Sequence, residues 1–309
     1  TGDILLSERG GRFRLWRAAT GRLTDLAGAP EVRDEGQGGL LDLALAPDFP
    51  TSGHVYAAWS APRGDLSTTA LGRFRLDPNA GALTDPELLF EAAPALAGRG
   101  HFGARIAFAD GHLFLGLGDR QSKDFTAAHP SQDLGSHWGS VVRLGLDGAV
   151  PADNPFVGQP GARPEIWSYG HRNIQALAVH PDTGALWLAE HGEAGGDEIN
   201  IVRRGANYGW PLASHGVTYR GGERFAPPHR PGDGFEAPVF HWGPGRADNF
   251  PPSGMAFYAG AAFPDWQGNL LIGNLAHRYL GLFAVRSETV SPPVRLLADR
   301  GWRIRDVAV

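Results

Sequence analysis

The sequence predicts an all-β chain folded as a β-propeller, and three observations carry that prediction. A short apolar–Ala–apolar strand recurs at Leu43–Leu45, Ile106–Phe108, Leu177–Val179 and Met255–Phe257, with a fifth copy at Val307–Val309. Three copies run into turn chemistry, at Pro47-Asp48, Asp110-Gly111 and Pro181-Asp182-Thr183-Gly184, the residues that hairpin reversals favour. The 44 glycines and 24 prolines among 309 residues suit many short strands joined by turns better than a helical protein.

A second strand is expected after each turn, at His54–Trp59, His112–Gly116, Ala185–Ala189 and Asn269–Gly273. A third closes each unit, at Gly72–Leu76, Val141–Leu144, Glu198–Val202 and Tyr279–Val285. Ala44, Ala107, Ala178 and Ala256 stand 63, 71 and 78 residues apart. That is longer than the ~40–50 residues of a plain propeller blade and implies long loops. Three or four antiparallel strands repeated radially describe a propeller; a β-sandwich is the other arrangement open to them. At the ends, Asp3–Glu8 and Gly11–Trp16 read as second and third strands with no first strand before them. Arg303–Val309 reads as a first strand with nothing after it. Either the two ends share one blade, with Thr1 beside Val309, or the terminal blades are short. No linker interrupts the chain, so residues 1–309 are expected to form one domain.

Hydrophobic residues make up 42% of the chain, enough for a substantial core. The 28 basic and 33 acidic residues leave a formal charge of −5. Nearly all the positive charge is arginine and no basic run occurs, so nucleic acid is not an expected partner. The absence of cysteine excludes disulfides, thiolate metal sites and cysteine nucleophiles. No stretch approaches the ~18–20 apolar residues of a membrane span.

The densest motifs fall in the second half of the chain. Ser168-Tyr-Gly-His-Arg-Asn173 is followed by Glu190-His-Gly-Glu193, Asp197-Glu-Ile-Asn200 and Asn207-Tyr-Gly-Trp-Pro211. Earlier come Asp34-Glu-Gly-Gln-Gly-Gly-Leu-Leu41, His101-Phe-Gly-Ala-Arg105 and Gly116-Leu-Gly-Asp119; later come Pro251-Pro-Ser-Gly-Met255 and Arg303-Ile-Arg-Asp-Val307. In this order the motifs resemble the soluble quinoprotein glucose dehydrogenase and aldose sugar dehydrogenase family, and the resemblance spans essentially the whole chain. It implies a six-bladed propeller with its terminal blades incomplete or shared. It also implies oxidation of aldoses such as glucose at C1, to the lactone, by hydride transfer to pyrroloquinoline quinone with Ca2+. An unidentified external electron acceptor and a periplasmic or secreted location come with it.

His101 sits among glycines, and an imidazole titrating near neutrality suits a base that takes the hydroxyl proton. Local sequence alone reads it more readily as a solvated or capping residue; the resemblance implies catalysis. Asp119 matches the carboxylate that orients the histidine, although Gly118-Asp119-Arg120 also reads as a turn. Arg172 and Asn173 match residues at the quinone, where a guanidinium stabilises developing negative charge. Arg303 and Arg305 are two apart, hence on one face of a strand. Two such cations invite carboxylates, which arginine binds bidentately, and the resemblance assigns both to the tricarboxylate cofactor. Gln37 matches a residue lining the pocket. Carbonyls of the Gly192-Glu193 segment match those that hold the cofactor's calcium, and Glu198 with the backbone at Tyr208 matches a second, structural calcium.

The chain also departs from the glucose dehydrogenase pattern. Gly100 stands where an aspartate precedes the histidine, His191 where a glutamine stands, and Ala276 where a lysine contacts the cofactor. Trp242 reads equally as the roof of the pocket or as core. Two other functions compete with oxidation: a calcium-dependent propeller lactonase, and a propeller that only binds. The arginine pair favours a tricarboxylate cofactor over the first, and the joint presence of His101, Arg172 and that pair argues against the second.

Overall fold

The chain alternates apolar and polar residues so that each strand has one face to bury, and the computed structural model, which describes residues 2–247 and 249–309, stacks these faces into a fan of sheets. The first sheet holds β1 (Ile4–Glu8), β2 (Arg12–Arg17) and β3 (Arg22–Leu26). The second holds β4 (Leu40–Leu45), β5 (His54–Arg63), β6 (Leu66–Asp77) and β7 (Ala82–Glu91). The third holds β8 (Gly103–Ala109), β9 (His112–Leu117), β10 (Ser140–Leu144) and β11 (Ile166–Tyr169). The fourth holds β12 (Ile174–Val179), β13 (Leu186–Glu190), β14 (Glu198–Ile201) and β15 (Phe240–His241). The fifth holds β16 (Pro252–Phe257), β17 (Leu270–Asn274) and β18 (Leu280–Phe283). After a small ribbon of β19 (Val285–Arg286) and β20 (Thr289–Val290), β21 (Val294–Leu296) returns to the edge of β18. Neighbouring strands within each sheet run antiparallel.

The core lies between sheets. Phe13, Leu15, Val55, Trp59 and Phe74 join the first to the second. Tyr56, Leu71, Leu115, Trp138 and Val142 join the second to the third. Phe114, Val141, Ile174 and Leu188 join the third to the fourth. Trp187, Ile199, Phe250, Met255 and Phe283 join the fourth to the fifth. Such sheet-on-sheet packing around an axis is what makes the fold a propeller.

The predicted inner, second and third strands are all present in the second to fifth sheets. Two expectations are corrected. The described residues form five blades rather than six. The first blade has three strands, and Arg303–Val309, read from its alternation as a further inner strand, forms none. The segment instead touches β16 at isolated points: Ser253 Oγ donates to the Ile304 carbonyl at 2.8 Å and the Gly254 amide to that of Arg305 at 3.2 Å. Pro251 and Pro252 lack N–H groups, so the ladder cannot continue along the start of β16. The expected contact of Thr1 with Val309 falls on Thr1, which lies outside the described residues.

Asp42 on β4 clasps the second blade to the third. Its Oδ2 accepts the Ile106 amide of β8 at 2.9 Å, and its Oδ1 faces Arg105 at 3.3 Å. Asp42→Ala should leave that buried amide without a partner and destabilise the fold by about 1–3 kcal/mol. Urea denaturation with an unchanged midpoint would show the clasp to be unimportant.

Candidate active site

The loops that enter the inner strands are stitched to the ends of second strands and to one another through backbone hydrogen bonds. The Gln37 amide donates to the Arg99 carbonyl at 2.7 Å, that of Asp119 to Arg172 at 2.7 Å, and that of His191 to Asn173 at 3.1 Å. His101 lies in the loop before β8. Its own amide donates to the side-chain oxygen of Gln37 at 2.8 Å. Its backbone is left-handed, with φ at 49°, an uncommon state for a residue with a Cβ. The Arg120 guanidinium holds the loop in that shape. It donates to the carbonyls of Gly98 at 2.6 Å, Gly100 at 3.3 Å and Ser67 at 2.9 Å, and lies 4.1 Å from the Phe102 ring centroid. A Cβ at Gly100 would lie 2.5 Å from the Gln121 side-chain oxygen, so the aspartate of the related pattern would have to displace that exposed side chain.

His101 Nδ1 lies 2.6 Å from Asp119 Oδ1, and both side chains are buried. The other carboxylate oxygen of Asp119 accepts Trp210 Nε1–H at 2.9 Å and faces His129 Nε2 at 3.4 Å. The Gln121 amide adds a further donor to Oδ1 at 2.8 Å. Burial by itself would raise the Asp119 carboxyl, but the bonds from His101 and His129 and the charge of Arg172 hold it well below the usual carboxylate range. Burial pushes the His101 imidazole below its ordinary value, against the opposing pull of Asp119.

Arg172 stands beside this pair, its guanidinium 5.1 Å from the Trp210 ring centroid. Its Nη2 meets Glu193 at 2.5 Å and its Nη1 donates to the His191 carbonyl at 3.1 Å, while Nε is buried and finds no partner among the described residues. Glu193 is shared with Lys123, the chain's single lysine, at 2.8 Å. Glu190 accepts from His171 at 2.9 Å and from the Arg172 amide at 2.6 Å, fixing the Gly170–Asn173 turn from below. Asn173 is buried, and its side-chain oxygen accepts from Gln175 at 3.0 Å.

Contacts close a circuit around one mouth. From Arg172 it passes to His191, whose Nε2 meets the Pro252 carbonyl at 2.7 Å, and on to Ser253 and the terminal segment. Arg305 there is near Arg303 and Arg9, and Arg9 donates to the Gly36 carbonyl at 2.8 Å, next to Gln37. Gln37 leads back to His101. Arg303 and Arg305 are exposed and make no ion pair among the described residues.

Behind Arg172, a small cavity of about 10 Å3, enough for roughly one water or ion, is lined by Glu190, Gly192, Glu198, Tyr208 and Ser214 among others. Asp197 accepts the amides of Gly192 and Phe250 at 3.0 Å each, yet burial pushes its carboxyl up to about 6. Burial, with Glu190 beside it, raises Glu198 well above its usual range. The Tyr208 carbonyl meets His229 Nε2 at 3.0 Å, and Glu198, His215 and His229 each offer a ligand atom within 4.8 Å of the others.

The structure thus gathers His101, Asp119, Arg172, Asn173, Gln37, Arg303, Arg305, Gly192 and Glu193 around the mouth, with Glu198 and Tyr208 at the cavity behind it. Trp242 is core, stacked on Phe250 at 4.7 Å. Arg120, His129, Trp210 and Lys123 were not singled out by the sequence. Trp210 at least stood within a recognised motif, whereas His129 and Arg120 carried no local signal.

A buried His–Asp pair beside an arginine, with two arginines on the terminal segment that make no ion pair among the described residues, defines a class of β-propeller with a cationic mouth. The comparisons narrow it. The Glucose / Sorbosone dehydrogenase family profile matches residues 1–309. A protein of Escherichia coli K12 named aldose sugar dehydrogenase YliI is 44% identical over 309 residues, covering 98% of this chain and 80% of that protein. The apo crystal structure of the soluble E. coli aldose sugar dehydrogenase superposes with a TM-score of 0.91 at 43% identity, over 98% of this chain and 85% of that one. The PQQ-bound aldose sugar dehydrogenase of Streptomyces coelicolor gives 0.80 at 32%, over 100% and 82%. The chain belongs to the glucose/sorbosone dehydrogenase family. The sugar dehydrogenase reading of its motifs is borne out over the lactonase and the binding module.

Asp119 ionises more readily folded than unfolded, so it adds stability above its unfolded pKa of about 4. That stability is lost as pH falls towards the lower folded value. Thermal melts of wild type and Asp119→Asn should therefore converge as pH drops from 5 to 2. A gap that stays constant with pH would contradict the depressed carboxyl.

Proposed function

We propose that this protein oxidises aldose sugars at C1 to the lactone, using pyrroloquinoline quinone and Ca2+, with His101 as the base and an external acceptor removing the electrons. The observation that carries the reading is the 2.6 Å contact of His101 Nδ1 with Asp119 at the mouth that Arg172 shares. Two features support the quinone: among the described residues, Arg172 keeps a buried N–H without a partner, and Arg303 and Arg305 are neighbouring cations without a carboxylate. Arg303 and Arg305 would hold its carboxylates, with Arg172, Asn173 and Gln37 around it. Gly192 supports the calcium. A Cβ there would lie 2.2 Å from the Gly195 carbonyl, so only glycine keeps this turn tight enough to offer its carbonyl and that of Glu193. When bound, the quinone accepts hydride and its calcium acts as a Lewis acid on a carbonyl.

The protein's own part is proton transfer and charge. An ionised Asp119 takes the Nδ1 proton in hydrogen bond, which leaves the lone pair of His101 on Nε2. Nε2 then accepts the C1 hydroxyl proton while Asp119 stabilises the imidazolium. Trp210 and His129 keep Asp119 from rotating, and Glu193 keeps Arg172 aimed. Membership of this family also supports a periplasmic or secreted setting; among the described residues no helix is long and apolar enough to cross a membrane.

His101→Ala should lower turnover by about 10²–10⁴ and leave quinone affinity nearly unchanged, read by dye-linked assay and by cofactor titration. Protonated His101 cannot accept the proton, and burial lowers its pKa, so the acidic limb of the rate profile should lie below the ordinary imidazole value of about 6.5. Wild-type turnover in the variant, with any aldose, would move the base elsewhere.

Arg303→Ala and Arg305→Ala should each weaken quinone binding by about 1.5–3 kcal/mol, the range for a charged hydrogen bond. Equilibrium titration of the double variant with unchanged affinity would remove both residues from the cofactor site.

A further inference from the structure

We infer that Glu198, His215 and His229 form a metal site of the transition-metal class, taking Zn2+ or Co2+ in preference to Ca2+. Glu198 opens β14, while both histidines come from the connection over residues 202–239, which holds no strand or helix. Their three ligand atoms lie within 4.8 Å of one another, a spacing that one ion can bridge.

The donors decide the class. Ca2+ takes six to eight oxygen ligands, and Glu198 is the single oxygen donor of the three. The Tyr208 carbonyl, expected to serve a calcium here, is engaged by His229 Nε2 at 3.0 Å. Two imidazoles and a carboxylate are instead the donor set of zinc and its neighbours. His229 carries an independent mark. Its Nε2–H points at the Tyr208 carbonyl, so its lone pair is on Nδ1, and Nδ1 is buried with no hydrogen-bond partner among the described residues. Ligating histidines characteristically donate their other ring N–H to a carbonyl in this way. His215 is held flat against His241 at 3.5 Å between ring centroids, 10° from parallel, and faces His229 at 5.3 Å. Stacking fixes its ring plane before any ion arrives.

Such an ion would tie a long connection to the start of β14. Loops of this length without structure of their own are uncommon in compact domains, and metal ligation is one way to order them. The site takes no part in the proposed proton transfer, and its test reads metal rather than turnover.

The full chain, kept in excess Ca2+ so that hard-cation sites stay filled, is titrated with Co2+ and followed by visible absorption. We expect one equivalent to give the ligand-field bands of nitrogen–oxygen coordination, and one equivalent of Zn2+ to abolish them. His215→Gln/His229→Gln should lose the bands, and Glu198→Gln should weaken Co2+ binding. The thermal midpoint of wild type, and not of the double variant, should rise with Zn2+. Bands that never form, that vanish with added Ca2+, or that persist in the double variant would each overturn the assignment. The Ca2+ competition needs no variant, so it decides even if the substitutions impair folding.

Discussion

A carboxylate with about 1% of its surface exposed stays ionised only if nearly every lone pair is met, and at Asp119 the donors come from three separate parts of the chain. His101 arrives from the loop before β8, Trp210 from the long connection after β14, and the Gln121 amide from the turn after β9. The mouth depends on this one anion. Remove it and the imidazole loses its orientation, the indole N–H is stranded, and the backbone bond from Asp119 to Arg172 loses its anchor. Charged hydrogen bonds among buried partners are short and directional, which is why one side chain can set the position of two others, His101 and Trp210.

The rest of the architecture serves to bring such distant residues together. Each blade delivers a loop at the start of its inner strand and another at the end of its second strand. Because inner strands of adjacent blades lie side by side, loops distant in sequence become neighbours. Glu190, at the end of β13, can thus hold both His171 and the amide of Arg172, and Lys123 can reach Glu193. The glycines at these entries let backbones approach where side chains would collide.

Much of this was legible in the sequence because inner strands must pass close to the ring axis, and the apolar–Ala–apolar pattern records that crowding. The outer strands β7, β11, β15 and β21 were not read. They are half-exposed, β15 is two residues long, and edge strands carry little alternation. Arg303-Ile304-Arg305 alternated like a strand, but neighbouring prolines on β16 withhold the N–H groups a ladder needs. Among site residues, His101, Asp119 and Arg172 stood in recognisable strings. Glu193 was read for its carbonyl, whereas its carboxylate is committed to Arg172 and Lys123, an ion pair that only folding reveals. His129 and Arg120 act across 10 and 53 positions of chain respectively, on Asp119 and Ser67, and no local pattern announces such partners.

The left-handed backbone of His101 has a consequence for how this protein has been shaped by selection. A non-glycine residue held at φ 49° gives up roughly 1–3 kcal/mol relative to a relaxed conformation. Glycine at that position would relieve the strain, but it would also remove the base and strip the buried Asp119 carboxylate of the imidazole's hydrogen bond, a loss larger than the strain it relieves. The strained backbone is therefore tolerated because the imidazole both serves the site and satisfies a buried anion. The Arg120 guanidinium, with burial pushing it down to about 10, is the counterweight: its bonds to Ser67, Gly98 and Gly100 keep the loop from relaxing. Thermostabilised descendants of this chain should accumulate their changes in the blades and leave this loop strained.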